Sequence, residues 1–445
     1  MINVRKNFPI LQRQIHGQPL IYFDNAATTQ KPEVVIEAES HYYRHFNANV
    51  HRGIHTMAEE ATKAFEDARF QIRRFINARS EREIIFTKGA TEGINLVAQT
   101  WGRDQLEVGD QIVIPFVNHH SNIVPWQILA KEKGVILRWV KVSADGQLNY
   151  DQYRHYLRSG RVKLVALTHV SNTLGTIYPV KQMIREAHEQ GALGLVDAAQ
   201  SAAHRLLDVI DMEPDFLVFS GHKMYGPTGV GVLYVTESIL SKMPVYQGGG
   251  EMIRAVTKED FVTNYLPWRF EAGTPNIAGV IGLGAALNYL ERISQETMAE
   301  HSQLLTRHAL EKLKELPDIR LVGSGQATQR VGIIAFNFDG IHPHDVAAEL
   351  DKFGIAVRAG HHCTQPLHTK LGLLGSVRIS FGLYNTTEEI DKLVPALKHI
   401  LQLYKEVNLE VMPHQGTVPP YASHLSERPA VKSEPQDKKN IASEF

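Results

Sequence analysis

The chain has 445 residues, with 47 Lys and Arg against 48 Asp and Glu, and its formal net charge of −1 gives no electrostatic indication of a nucleic-acid or membrane partner. Its single cysteine excludes an internal disulfide and a zinc site built from cysteines, which fits a reducing compartment. Because no window is apolar enough to span a bilayer and the N-terminus lacks the apolar core of a signal peptide, we expect a cytoplasmic protein.

Short β-branched runs alternate with amphipathic helical stretches between about residues 59 and 235. The predicted strands lie at 83–87, 111–115, 135–140, 163–169, 193–197, 215–219 and 230–235. The predicted helices between them include 60–76, 123–133 and 180–190. This alternation predicts an α/β fold with a mostly parallel sheet covered on both faces, in which ligands bind beyond the carboxyl ends of the strands.

A second pattern begins near residue 280. It predicts helices at about 281–293, 296–315, 343–353 and 387–405, with strands near 319–323, 331–337 and 377–381. We expect a large α/β domain over 21–280 and a smaller α+β domain over 281–406, with residues 1–20 packing against the smaller one. The stretch 407–445 is rich in Pro, Ser, Glu and Lys, and this composition predicts a disordered tail.

Cys363 ends the string Arg358-Ala-Gly-His-His-Cys363, so the thiol lies beside two imidazoles and near a guanidinium. Cationic neighbours favour the thiolate, which is the nucleophilic form of cysteine. Gly360 indicates a turn that could expose the thiol on a loop. This context favours a nucleophile over the alternative of a buried core cysteine.

Lys223 stands in the string Ser220-Gly-His222-Lys223, directly after a predicted strand. A lysine at a strand end can form a Schiff base with a carbonyl cofactor, whereas most lysines are solvated surface residues. Asp197 ends the preceding predicted strand, and a carboxylate that faces a pyridine nitrogen keeps the ring protonated. The pair indicates pyridoxal phosphate chemistry, although Asp197 by its spacing alone could be a metal ligand or a helix N-cap.

Two further segments follow predicted strands. The string Thr87-Lys-Gly-Ala-Thr91-Glu-Gly leads from a strand into a helix, where backbone N–H groups and a hydroxyl can bind a cofactor phosphate. His119 could stack on a flat ring and relay protons. The chain has two His-His pairs, but adjacent residues point to opposite faces of a strand and no carboxylate lies at ligand spacing, so we predict no metal site.

Taken together, these segments resemble the SUF-type (group II) cysteine desulfurases, which belong to class V of the fold-type I pyridoxal phosphate enzymes. The resemblance covers about residues 5 to 405. The matching strings are YFDNAATTQKP at 22–32, NVHRGIHT at 49–56, TEGINLVA at 91–98, HHSNIVPWQ at 119–127, THVSNTLGT at 168–176, VDAAQS at 196–201, FSGHKMYGPTGVG at 219–231, RFEAGTPN at 269–276 and RAGHHC at 358–363.

This resemblance implies how the cofactor would be held. Lys223 would form the Schiff base with pyridoxal 5′-phosphate, Asp197 would pair with the pyridine nitrogen, and His119 would stack on the ring. Gln200 would bond the phenolic oxygen. The residues implied around the phosphate are Ala90, Thr91, Ser220 and His222, joined by Thr274 from the other subunit of a homodimer.

The resemblance also implies the substrate contacts. Asn172 and Arg378 would hold the carboxylate of L-cysteine, for which an arginine fork has the matching geometry. The residues implied near the substrate or the rim of the site are Arg358, His55, Arg52 and Ala27. Two positions depart from the family pattern. Asn118 stands where a glutamate is common, and Ala90 stands where the phosphate loop often has a second threonine.

The implied reaction converts L-cysteine to L-alanine and leaves the sulfur as a persulfide on Cys363. Lys223 would take the α-proton, and His119 would assist proton transfer. An acceptor protein of the SufE or SufU type would then carry the sulfur to iron–sulfur cluster assembly. The open alternatives are selenocysteine lyase activity at the same site, an epimerase or transaminase of the same superfamily, and a scaffold with a degenerate fold. Intact Lys223 argues against the scaffold.

Overall fold

The computed structural model describes residues 4–204 and 207–410. Numbered along the chain, the strands are β1 Gln14–Ile15, β2 Gln18–Pro19, β3 Ile21–Tyr22, β4 Ile84–Thr87, β5 Gln111–Pro115, β6 Ile136–Val140, β7 Val162–Thr168, β8 Leu193–Asp197, β9 Phe216–Ser220, β10 Gly231–Val235, β11 Ile253–Val256, β12 Phe261–Thr263, β13 Ile319–Val322, β14 Ile333–Phe338, β15 Ile355–Ala356, β16 Arg358–Gly360 and β17 Ser376–Ser380.

The helices are numbered in the same way. They are α1 Glu33–His45, α2 Thr56–Phe75, α3 Ala90–Val97, α4 Arg103–Gln105, α5 Val124–Lys133, α6 Tyr150–Leu157, α7 Val180–His188, α8 Val209–Met212, α9 Glu237–Leu240, α10 Ile277–Glu291, α11 Gln295–Lys314, α12 Pro343–Lys352, α13 Gln365–Lys370 and α14 Thr387–Glu410. Within the described part of the chain, none of these helices has the length and apolar content of a membrane span.

The largest sheet has seven strands in the order β4-β10-β9-β8-β7-β5-β6. β10 is antiparallel to both of its neighbours, and the pairs from β9 to β6 are parallel. Strands such as β5 and β9 are buried along their whole length, as expected for apolar runs covered on both faces. The predicted α/β fold with a mostly parallel sheet is confirmed.

The predicted strands in this region are confirmed with ends displaced by at most a residue or two, the usual spread in assigning element boundaries. The sequence pattern missed helix α1, the hairpin of β11 and β12, and the antiparallel placement of β10. In a buried strand the apolar run is the same whether its neighbours are parallel or antiparallel, so the pattern carries no direction.

A second sheet has four antiparallel strands in the order β13-β14-β17-β16. Near it, β3 pairs in parallel with β15, and Asp24 forms an isolated bridge with Ser380 at the end of β17. The chain near its N-terminus therefore runs along this sheet. Of the described residues, those up to Leu401 form one compact unit, and residues 402–410 belong to another. The predicted domain boundary near residue 280 stays a prediction.

Helix α14 continues to Glu410, beyond its predicted end near 405. The rest of the segment that was predicted to be a disordered tail lies outside the described residues.

Candidate active site

The carboxyl ends of β7, β8 and β9 open into a cavity of about 250 Å³ that also touches β16 and β17. This is the edge of a parallel sheet where ligands bind. Thirteen of the sixteen residues named above as site residues line the cavity: Ala27, Ala90, Thr91, His119, Asn172, Asp197, Gln200, Ser220, His222, Lys223, Arg358, Cys363 and Arg378. The fold thus brings together segments that are up to about 350 residues apart in the sequence.

Lys223 and Asp197 face the same cavity from adjacent parallel strands. Asp197 is the last residue of β8, and Lys223 ends a short 3-10 turn that follows β9. Burial is the largest influence on both groups: it raises the pKa of the Asp197 carboxyl and lowers the pKa of the Lys223 amine. Oδ1 of Asp197 accepts a hydrogen bond of 3.0 Å from the N–H of Ala199, which fixes the carboxylate.

His119 is held as a neutral imidazole with a defined tautomer. Its Nδ1 accepts a hydrogen bond of 3.1 Å from the N–H of Ser121, so the ring proton of the neutral form lies on Nε2. Burial, followed by the charge of Lys223, lowers the pKa of His119 to about 3. The neighbouring His120 turns away from the cavity and binds the Cys363 loop. Across the described ranges, no three His, Cys, Asp or Glu side chains are grouped as metal ligands.

Asn118, the first departure from the family pattern, does not line the cavity. Its amide is buried, with Nδ2 donating to the carbonyl of Ala166 at 2.8 Å and Oδ1 accepting from Thr168 at 2.9 Å. The side chain therefore joins the segment after β5 to β7, where it fixes the backbone that carries His119.

The turn before α3 forms a recess beside the cavity. The N–H of Ala90 donates to Ser220 Oγ at 2.9 Å, and Thr91 Oγ1 lies 2.7 Å from Ser121 Oγ. Gly89 has a φ of 154°, and a Cβ atom there would meet Ser220 Oγ at 3.1 Å. Only glycine therefore lets the chain approach Ser220 this closely. An adjoining hollow is lined by Gly89, Thr91, Ser220 and His222.

Gln200 and His222 complete the sheet side of the cavity. Gln200 donates from Nε2 to the carbonyl of Ala26 at 2.8 Å, which holds the segment of Ala26 and Ala27 against the sheet. Burial, aided by the charges of Lys223 and Lys31, lowers the pKa of His222 to about 4. The imidazole next to the lysine is therefore neutral at physiological pH.

Arg378 lies on the opposite wall, on β17, and is 2% exposed. Its Nη2 donates to Asp24 Oδ1 at 3.0 Å, and its Nη1 donates to the backbone carbonyl of Asn172 at 2.9 Å. Arg358 is its cross-strand partner on β16 and lies 3.8 Å from the other oxygen of Asp24. One carboxylate therefore stands between two guanidinium groups.

In this wall, Arg378 and Asn172 each have one buried polar atom without a hydrogen-bond partner among residues 4–204 and 207–410. They are Nε of Arg378, a donor, and Oδ1 of Asn172, an acceptor. The other end of the Asn172 amide donates to the carbonyl of His362 at 2.6 Å. Both side chains line the cavity, and because unpartnered buried polar atoms are costly, this wall fits a polar ligand.

Cys363 is exposed, as predicted, on the loop between β16 and α13. Its carbonyl accepts a hydrogen bond of 2.8 Å from the N–H of His120, and the N–H of Gln365 donates to His120 Nε2 at 3.0 Å. His362 and Cys363 have φ values of 51° and 58°, a region that residues with a Cβ atom rarely adopt. The loop is thus fixed by hydrogen bonds in a strained conformation.

Three of the predicted site residues do not line the cavity. Arg52 pairs with Glu251 at 3.2 Å, and His55 is the N-cap of α2. Thr274 is exposed and lines a different hollow with Lys88 and Gly273. These three lie on parts of the surface that a single chain does not bring to the cavity, so their roles stay predictions.

Sequence reasoning missed Asp24, Ser121 and His362. Asp24 lies within the matching string at 22–32, but its importance appears only when the chain just after β3 is placed beside β17, where Asp24 bridges Ser380. His362 is adjacent to Cys363, and its Nε2 lies 3.0 Å from the carbonyl oxygen of Ser376. The only available signal was that each residue falls in or next to a motif.

The residues present fit pyridoxal phosphate. A partly buried lysine and a buried carboxylate occur at the ends of adjacent strands, and a neutral imidazole stands beside them. A glycine-dependent recess at the start of α3 offers a hydroxyl and backbone N–H groups. This is the donor set that the cofactor's aldehyde, ring nitrogen and phosphate require.

The fold and this donor set define an enzyme of the pyridoxal phosphate type, and the aminotransferase class-V family model matches residues 21–393. The chain belongs to this family. A cysteine desulfurase from Salmonella agona (strain SL483) is 50% identical over 401 residues, which cover 90% of this chain and 98% of the relative. A cysteine desulfurase from Salmonella typhimurium (strain LT2) shows the same identity and coverage.

Two solved structures are similar in fold and sequence. The apo structure of a cysteine desulfurase from Thermococcus onnurineus NA1 has a TM-score of 0.85 and 40% identity, covering 90% of this chain and 98% of that one. The cysteine desulfurase CsdA from Escherichia coli, in an S-sulfonic acid form, has a TM-score of 0.82 and 38% identity over the same shares.

Proposed function

We propose that the protein is a cysteine desulfurase that converts L-cysteine to L-alanine and holds the sulfur as a persulfide on Cys363. The observation that carries this proposal is the shared cavity: Lys223 and Asp197 on one side, Arg378 on the other, and Cys363 at its edge. Transaminases and racemases of the same fold need the lysine and the carboxylate but not the thiol. The relatives named cysteine desulfurase, at 50% identity, support the same activity.

Pyridoxal phosphate, when bound, supplies the electron sink for loss of the α-proton and of the sulfur. Lys223 would hold it, with Asp197 opposite the ring nitrogen and His119 against the ring. The recess at Gly89 would hold the phosphate through Thr91, Ser220 and His222. The missing second threonine at Ala90 removes one hydroxyl, while the backbone N–H of Ala90 still binds Ser220 Oγ.

The two unpartnered atoms fit an amino acid substrate. The buried Nε–H of Arg378 is available to a carboxylate, and Oδ1 of Asn172 can accept a hydrogen bond from a substrate donor. Asp24 keeps the guanidinium of Arg378 oriented, because it already accepts a hydrogen bond from Nη2. The substrate would thus lie between the arginine wall and the lysine.

Proton transfer fits the environment of Lys223 and His119. Burial lowers the pKa of Lys223, which increases the share of neutral amine that can take the α-proton. The neutral His119 presents Nε2–H and can pass a proton on. The thiolate of Cys363 attacks the substrate sulfur: the S–S bond forms as the Cβ–S bond breaks, and the electron pair left on Cβ takes a proton. The α-proton held by Lys223 is returned to the substrate, which gives alanine.

The outer sulfur of the persulfide must then be transferred from Cys363. We propose an acceptor protein of the SufE or SufU type that feeds iron–sulfur cluster assembly, as part of the SUF-type assignment. Beside the Cys363 loop runs an open groove lined by Phe116, His120, Val124, Pro366 and Lys370. The loop is pinned at His120, so the acceptor's thiol must come to Cys363. Adding an acceptor should speed turnover, whereas the same acceptor without its thiol should not.

We further propose a homodimer in the cytoplasm, in which Thr274 of one subunit completes the phosphate site of the other. Two observations support this arrangement: Thr274 is exposed, and it lines a different hollow from the cavity of its own chain.

The test is an anaerobic assay of purified holoenzyme with L-cysteine, following alanine and protein-bound persulfide in wild type and Cys363→Ala. Loss of both products in the variant supports the proposal. Alanine formation that survives in the variant overturns the role of Cys363. Loss of cysteine turnover with retained selenocysteine turnover would show a second, selenocysteine lyase activity at this site. A cofactor-loaded wild type that gives neither product has a different substrate.

A further inference from the structure

The backbone carbonyl of His222, directly before Lys223, accepts hydrogen bonds from an unusual number of donors. All of them come from the segment Thr28–Lys31. Thr28 Oγ1 and the N–H of Thr29 are each 3.0 Å from the oxygen, Lys31 Nζ is also 3.0 Å away, and Thr29 Oγ1 is 3.2 Å away. A carbonyl oxygen has two lone pairs, so this group is more than satisfied.

The segment Thr28–Lys31 also binds the chain on the C-terminal side of Lys223. Thr29 Oγ1 accepts a hydrogen bond of 2.7 Å from the N–H of Tyr225. Tyr225 has a φ of 67°, a strained value for a residue with a Cβ atom. Within the turn, the N–H of Met224 binds the carbonyl of Gly221 at 3.0 Å. The backbone of Lys223 is therefore held both before and after the residue.

Lys31 is the charged member of this segment. Its three hydrogen-bond partners are neutral oxygens: Thr28 Oγ1, the carbonyl of Thr29 and the carbonyl of His222. Burial lowers the pKa of Lys31 to about 8, and the charge of Glu39 on α1 opposes this shift. A partly buried ammonium bound only to neutral oxygens is costly to maintain, and this one joins its own segment, through Thr28 and Thr29, to the turn at His222.

We propose that Lys31 is a positioning residue, which fixes the main chain at Lys223 through the carbonyl of His222. The inference rests on the proposed role of Lys223 as the residue that holds the cofactor. In that role the side chain of Lys223 must release the cofactor, take a proton and return, so only its backbone can serve as the fixed point. A hydrogen bond from a charged donor restrains that backbone more firmly than a neutral one.

The test compares purified Lys31→Met with wild type and with Lys63→Met, an exposed lysine on α2 whose side chain is 75% accessible. Hydrogen exchange at the Met224 and Tyr225 amides of the cofactor-loaded protein is measured first, because it does not depend on turnover. The dissociation rate of pyridoxal phosphate and the separate kcat and KM values for L-cysteine follow. Thr29→Val, which removes the hydroxyl that binds both sides of the turn, repeats the test if Lys31→Met does not fold.

For Lys31→Met, we expect amide exchange in the turn and cofactor dissociation each to rise about tenfold, and kcat to fall about tenfold, the size expected for one charged hydrogen bond. KM should stay within about twofold, because the arginine wall is untouched. Lys63→Met should match wild type. Unchanged exchange and unchanged kcat in an active, cofactor-loaded variant overturn the inference and leave the proposed function intact. A wild type that binds no pyridoxal phosphate overturns the proposed function itself.

Discussion

Two regions meet in the cavity: the surroundings of Lys223, Asp197 and His119, called the chamber below, and the loop that carries Cys363. They differ in burial and in what holds them in place. In the chamber, burial displaces the protonation equilibria: the pKa of Lys223 is lowered, that of Asp197 is raised and that of His119 falls to about 3. The thiol of Cys363, by contrast, is exposed, and its loop is defined by backbone hydrogen bonds and positive φ values.

This difference follows from what each region must do in the proposed reaction. Proton transfer from carbon needs groups whose pKa values are shifted toward each other, and removal of water produces such shifts. Sulfur delivery needs access for a second protein, so water cannot be excluded there. The loop therefore obtains its order from the hydrogen bonds of His120 and Asn172 to backbone carbonyls at Cys363 and His362. Substitutions on each side should have different signatures.

The largest effect is expected in the chamber, for Lys223→Ala. This variant loses the group that takes the α-proton, and that loss by itself should lower cysteine turnover by about 10²- to 10⁴-fold. The variant should fold as well as wild type, because a cation that burial disfavours has been removed. Alanine release and thermal unfolding measure the two effects, with Lys63→Ala as the exposed control. Turnover within about threefold of wild type would contradict the chamber's role.

The next largest effect is expected on KM and differs between the two arginines that face Asp24. Arg378→Lys should raise KM for L-cysteine about 10- to 100-fold, because a buried charged donor to the substrate is lost. Arg358→Lys should change KM by less than about threefold, since its side chain is 47% exposed and solvated pairs are weak. Steady-state kinetics of both variants measure these KM values for L-cysteine. Equal effects would mean that exposure does not separate the roles of these residues.

The sequence predicted most of the sheet and the residues of the chamber because both leave local signals. β8 and β9 are apolar runs that end in Asp197 and in Ser220 next to His222 and Lys223, so a strand and its functional residue appear together. The arginine wall was only partly predictable. Arg378 was named through the family resemblance, whereas its partner Asp24 lies 354 residues away, and no spacing rule connects them.

The rest depended on backbone geometry that side-chain patterns do not encode. The hydrogen bonds from Thr28–Lys31 to His222 end on a backbone carbonyl oxygen. Every residue has this group, so the sequence does not mark it. The hydrogen bonds that pin the Cys363 loop likewise end on backbone groups. The role proposed for Thr274 requires a second chain, which one sequence cannot position.

His362 joins the two regions and should give the protein an acid-sensitive stability. It is 6% exposed, and burial, with the charge of Arg378 next, lowers its pKa to about 2. Below the unfolded pKa of about 6.5, the unfolded chain takes up a proton that the folded protein does not. The free energy of unfolding therefore falls as the pH drops, and His362 should account for about 2 kcal/mol between pH 7 and pH 5.

Urea unfolding of wild type and His362→Gln at these two pH values tests this prediction. Other buried histidines contribute as well, so the variant should still lose stability in acid, but by about 2 kcal/mol less than wild type. His16→Gln, with a side chain that is 57% exposed, is the control and should follow wild type. Identical acid losses in His362→Gln and wild type would contradict the link between burial and titration.

The smallest effect concerns the strain in the Cys363 loop. Cys363→Gly and Cys363→Ala both remove the thiol, but only glycine adopts a φ of 58° without a Cβ penalty. The glycine variant should therefore unfold at higher urea, with an advantage of about 1 kcal/mol. At exposed Leu374, which is not among the positive-φ residues, the order should reverse, because glycine gains more entropy on unfolding. If alanine is the more stable substitution at both positions, the loop relaxes without its thiol, and hydrogen bonds alone do not fix its conformation.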